Sequence, residues 1–132
     1  MSDELAIRAL IGRSAYLGDS GAPDSYREIY TTDAVWEFGD QRQDGIEEIV
    51  AATTERRKEG VSGPGTASRH VVIPMHVDID GDEAVAHSYL QFFRNTDAAP
   101  TLAMLAVYED TLHRTDGTWR ISRRSVNLDQ RN

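Results

Sequence analysis

The sequence predicts an α+β fold in which N-terminal helices gather on one side of a curved antiparallel sheet. Three observations carry that expectation. Helical periodicity is concentrated before residue 60, four strand-like runs fill almost everything after it, and the dipeptides Asp80-Gly81 and Asp116-Gly117 mark tight hairpins between the first and last pairs of runs.

The elements follow in order. Ser2 is a helix N-cap, and Asp3 and Glu4 suit the positive end of the helix dipole. Ala6, Ile7, Leu10, Ile11, Ser14 and Leu17 then share one helical face, with Ser14 the polar member, and Gly18 and Gly21 end the helix. "APDSYREIY", Ala22 to Tyr30, reads as a short second helix with Pro23 near its start. "DAVWEF", Asp33 to Phe38, alternates as a strand and places Ala34, Trp36 and Phe38 together. Asp44 with Glu47 resembles a capping box, opening a third helix that runs to about Lys58. A glycine-rich loop, Gly60 to Gly65, precedes the strand runs Ala67–Ile79, Glu83–Asn95, Thr101–Arg114 and Thr118–Asn127. Such a layout leaves room for a cavity between the helices and the concave face of the sheet.

Composition narrows the functional classes. A chain of 132 residues is most simply one domain, expected over residues 1–132. Zero cysteines exclude disulfides, thiolate metal sites and a cysteine nucleophile. The net charge of −8 argues against nucleic acid and anionic membranes as partners. The apolar runs are too short to cross a bilayer, and "MSDELAIRAL" is acidic where a signal peptide is basic, so a cytoplasmic protein is expected. The histidines show no HxH, HExxH or facial-triad spacing, and no metal or cofactor is expected.

Several residues carry candidate chemistry. His70 is an imidazole suited to accept a proton near neutral pH, or else a hydrogen-bonded histidine at a strand end. Regular alternation would put Val71, Ile73, Met75, Val77 and Ile79 on the core face and turn His70 outward; a bulge at Pro74 would restore it. Trp119, Ile121 and Arg123 share a face, which would bring the Arg123 guanidinium into an apolar layer to stabilise an anion, or lay its stem along the core. Trp36, Phe38 and Leu90 suit the wall of a flat hydrophobic site, and Tyr16 and Tyr108 offer phenolic donors. Apolar residues on both faces of the strands, such as Val85, Tyr89 and Phe93 against Ala86, Leu90 and Phe92, predict a homodimer through the outer face of the sheet.

The element order, together with "GDSG", "IYTTDAVWEF", "DGIEEI", "SRHVV", "VDIDGDEAVAHSY" and "VYEDTLHRTDGTWRISRR", resembles the SnoaL-like branch of the nuclear-transport-factor-2-like, cone-shaped fold. The motifs look nearest to the group of scytalone dehydratase, bile-acid dehydratase and hexachlorocyclohexane dehydrochlorinase. That resemblance implies that Asp19 orients His70, which removes a proton from substrate carbon, with Trp36 and Arg123 in the pocket. Ser14 stands where the dehydrochlorinase has a lysine and the bile-acid dehydratase a tyrosine, and Tyr16 is the nearby substitute. The expected function is a cofactor-independent lyase or isomerase acting on a small apolar or polycyclic substrate. A non-catalytic ligand-binding or assembly domain, or a small subunit of a larger oxygenase, is the alternative.

Overall fold

The computed structural model describes residues 2–128; the ends of the expected 1–132 domain lie outside them. The chain runs α1 (Asp3–Ser20), a 3-10 helix (Pro23–Glu28), β1 (Tyr30–Phe38), β2 (Gln41–Asp44), α2 (Ile46–Lys58), β3 (Ser68–Asp80), β4 (Glu83–Arg94), β5 (Thr101–Thr115) and β6 (Thr118–Leu128). The six strands form one open, curved sheet in the order β2-β1-β6-β5-β4-β3. All neighbours are antiparallel except β1 and β6, which pair in parallel because the helices of the N-terminal half carry the chain across before the meander begins.

Ser2 caps α1 by accepting the Leu5 amide at 3.2 Å. Asp3 is then held by Arg114 at 2.8 Å and by the Trp119 indole at 3.1 Å, which ties the start of α1 to the last hairpin. Ile7 and Ile11 are fully buried on the sheet with Ala84, Ala86, Leu112, Trp119 and Ile121. A second apolar cluster of Leu90, Phe92, Ala106, Tyr108 and Val126 lies further along the same face. Full burial of such aliphatic side chains stabilises by about 1.5–3 kcal/mol each.

Several local expectations change. Gly18 does not end α1: the helix continues through Asp19 to Ser20, and Gly21 is the cap. Ala22 to Tyr30 yields a 3-10 turn rather than an α-helix, and Ile29 and Tyr30 already leave it for the sheet. The polar "QRQD" is an edge strand, β2, folded back on β1 around Gly39 at φ +58°. Gly45, at φ +89°, caps α2, so the expected capping box is displaced: Glu48 accepts the Asp44 amide at 2.9 Å, while Glu47 pairs with Arg27. The hairpin at Asp116-Gly117 turns on those two residues, both with positive φ, but the β3–β4 hairpin turns on Gly81-Asp82, one residue later than the dipeptide predicts.

Two bulges decide which side chains face the helices. In β3 the register shifts between Pro74 and His76, with Met75 the extra residue. Before it the inward set is Ser68, His70, Val72 and Pro74, while Val71, Ile73 and Met75 face outward and are exposed. Val71, Ile73 and Met75, expected on the core face, therefore lie on the outer face of the sheet; the bulge brings Val77 inward, where it joins the core, and Ile79 is exposed near the strand end. In β6 the register with β5 shifts at Ser122. Trp119 and Ile121 are buried before it, Arg124 and Val126 after it, and Arg123 is turned out.

Candidate active site

Between the helices and the concave face of the sheet lies a cavity of about 240 Å³. Its apolar wall includes Trp36, Phe38, Leu90, Phe92, Met104 and Val126, and its polar groups include Ser14, Tyr26, Tyr30, Arg56, His70, Tyr108 and Arg124.

His70 sits at the start of β3, across from the last turn of α1. Asp19, 6% exposed, accepts the His70 main-chain amide on both oxygens at 3.1 Å and lies 2.7 Å from the ring Nδ1. A carboxylate at that distance keeps the proton on Nδ1 and makes Nε2 the acceptor nitrogen. Nε2 has no hydrogen-bond partner among the described residues, and the ring rests 4.7 Å from Phe92. The turn of α1 that carries Asp19 is itself held by helix α2. Arg57 donates to the carbonyls of Leu17 at 3.0 Å and Gly18 at 3.3 Å, and to that of Gly21, closing the C-terminal end of α1 with a positive charge. Gly18 lets the last turn approach closely: a Cβ there would meet the Tyr26 hydroxyl at 2.8 Å and the His70 ring at 3.9 Å.

The second polar centre is Arg124, only 4% exposed. It donates through Nε and Nη2 to the two oxygens of buried Asp110, at 2.8 and 2.9 Å, and through Nη1 to Ser14 Oγ at 3.2 Å. Its guanidinium carbon lies 4.0 Å from the centre of the Tyr108 ring. Burial opposes the charge on Arg124, but the Asp110 carboxylate outweighs it and holds the guanidinium well above its ordinary pKa. Burial pushes the Tyr108 phenol up to about 12, and raises Tyr26 and Tyr30 as well, so all three stay protonated hydrogen-bond donors.

The sequence-expected residues divide accordingly. His70, Trp36, Leu90, Tyr108 and Ser14 line the cavity, and Asp19 stands directly behind His70. Ser14 donates to the Ile11 carbonyl at 2.6 Å and receives Arg124, so its hydroxyl is committed to orienting the guanidinium. Tyr16 is not in the cavity: α1 stays regular past it, and its side chain is 67% exposed. Arg123 pairs with Glu37 and is exposed; Arg124 takes the place expected of it. Asp110, Tyr26 and Tyr30 join the site with no motif to single them out, although Asp110 is the one acidic residue in the alternating inward set of Tyr108 and Leu112, and Arg56 belongs to "ERRKEG", a cluster with the pattern of a solvated helix end. Among the described residues no cluster of three or more His, Asp or Glu is arranged to hold a metal ion, and no helix is long and apolar enough to cross a membrane.

The profile of the SnoaL-like domain matches residues 1–125. The chain belongs to this family. Solved structures agree with the SnoaL-like fold. A nuclear-transport-factor-2-like protein with a cystatin-like fold from Novosphingobium aromaticivorans superposes with a TM-score of 0.84 at 24% identity, covering 98% of this chain and 84% of that one. A Mycobacterium tuberculosis protein of unknown function gives 0.83 at 23% identity over 98% and 77%. A candidate scytalone dehydratase from Novosphingobium aromaticivorans gives 0.75 at 17% identity over 97% and 85%. No curated protein matches the chain in sequence. At these identities the likeness carries the fold alone.

Proposed function

We propose that this SnoaL-like domain is a cofactor-independent lyase or isomerase that removes a carbon-bound proton from a small, largely apolar substrate. The observation that carries this reading is the Asp19–His70 pair at the cavity wall, with Nδ1 engaged at 2.7 Å and Nε2 without a partner among the described residues. Nε2 accepts the proton, and Asp19 stabilises the imidazolium that forms. Arg124 and the Tyr26, Tyr30 and Tyr108 phenols supply cationic and neutral donors for the enolate oxygen or the departing group. Arg124 is already neutralised by Asp110, so its contribution is directional: the fork is fixed before substrate arrives. Dehydration, dehydrohalogenation and isomerisation share this first step. Two copies of the chain associate through the outer face of the sheet, where Val71, Ile73, Tyr89 and Leu105 are exposed.

The test is α-proton exchange of 2-tetralone, a flat ketone with acidic C–H bonds, followed by NMR in D2O. The protein should accelerate deuterium uptake, and His70→Ala should lower the rate by at least about 100-fold. Asp19→Asn should lower it too, without loss of folding. Exchange by His70→Ala at the wild-type rate overturns the assignment.

A further inference from the structure

The chain carries a net charge of −8, yet among the described residues its cavity is lined by two guanidinium groups and a histidine and by no carboxylate. Asp19 and Asp110 approach from behind, each spent on one partner, His70 and Arg124. Arg56 has no such partner among the described residues. It lines the cavity from α2, partly buried, with its guanidinium carbon 5.2 Å from the centre of the Trp36 ring. Its hydrogen bond goes to Thr53 Oγ1 at 3.1 Å, and it forms no ion pair among the described residues. Thr53 is itself fixed by donating to the Ile49 carbonyl at 2.9 Å, so the guanidinium is held by an anchored hydroxyl below and an indole face beside it. The positive field of Arg56 extends to the phenols of Tyr26 and Tyr108, where it opposes the effect of burial.

We propose that the substrate carries a carboxylate on a flat apolar body, and that Arg56 receives this carboxylate while the body lies along Trp36, Phe38 and Leu90 toward His70. The inference rests on the reading of this cavity as the substrate site. The geometry of the ligand follows from that of the receiver. A planar fork with most of its five N–H groups free matches a planar carboxylate with two parallel bonds, and the single positive charge matches a single negative one. Long-range attraction does not explain the selection, since the molecule as a whole repels anions; the discrimination is local, made where apolar walls weaken the competition from water. Arg56 is thus a specificity residue and His70 the base.

Isothermal titration calorimetry at pH 8 with 2-naphthoate and its uncharged amide, 2-naphthamide, tests this. The wild type should bind the acid about 10- to 100-fold more tightly than the amide, the range of a charge-assisted hydrogen-bonded pair. Arg56→Gln should lose that preference by weakening the acid alone, and Arg56→Lys, which keeps the charge without the fork, should retain part of it. His70→Ala should keep the preference in full, which separates this inference from proton abstraction: one is read in binding, the other in deuterium exchange. Equal affinity of the wild type for acid and amide, or a preference that survives Arg56→Gln, overturns the proposal. Tighter binding of 2-naphthyl phosphate than of 2-naphthoate overturns the carboxylate, and absence of binding by both ring compounds at millimolar concentration overturns the flat body.

Discussion

Arg124 shows what one buried charge demands of its surroundings. Removing a guanidinium from water costs several kcal/mol, and the fold answers with a bidentate carboxylate, a hydroxyl and an aromatic face, all within 4.0 Å. Asp110→Asn leaves that cation without its counter-charge. Chemical denaturation should show a loss of about 3–5 kcal/mol, whereas joint replacement by Met at position 124 and Leu at position 110 should recover most of it. The double variant should stay inactive, because the directional donor is gone. A double variant as unstable as Asp110→Asn would show that packing, rather than an orphaned charge, sets the cost. The identity of this arginine was only half legible. The alternation of Trp119 and Ile121 pointed to a cation two residues on, but the extra residue at Ser122 passes the inward position from Arg123 to Arg124. Tyr16 failed for the opposite reason: it needed an irregular helix end, and α1 is regular.

At the scale of elements, the site depends on how the end of α1 is held. A helix C-terminus exposes carbonyls that need donors, and here α2 supplies them through Arg57. Gly63, at φ +106°, presses on Arg57 so closely that a Cβ would stand 2.8 Å from its Cγ, which keeps the side chain directed at α1. Arg57→Met removes the donors and keeps the apolar stem. We expect thermal unfolding to report a loss of about 1–3 kcal/mol, and deuterium exchange to slow because the helix end that carries Asp19 is no longer pinned. Lost stability with unchanged exchange would make Arg57 structural only. The pairing of α1 with β3 was legible as a resemblance, on "GDSG" and "SRHVV"; the strut from α2 was not, because "ERRKEG" looks the same whether solvated or docked. β2 escaped for a related reason, since a polar edge strand has no buried face to impose alternation.

The whole molecule presents two apolar surfaces, one enclosed by the helices and one open. On the open side Ile73, Tyr89 and Val107 stand in register across three strands, with Val71 and Leu105 in the neighbouring rung. Tyr89 is 50% exposed at the centre of this patch. Light scattering should give twice the chain mass for the wild type and the chain mass for Tyr89→Asp, since association would bury the introduced charge without a partner. A wild type at the mass of one chain would sink the dimer. The α+β class, the two long helices, the four-stranded meander and its first and last hairpin connections could be anticipated from the linear chain, and the proximity of Asp19 and His70 from the resemblance. Periodicity, turn chemistry and the resemblance are properties of neighbouring residues or short motifs. The single-residue facing of β3 and β6, the buried Arg124–Asp110 pair and an Arg56 without an ion pair among the described residues were decided only in three dimensions. A bulge inverts every side chain beyond it, and a charge is compensated or free only with respect to groups that the fold brings from elsewhere.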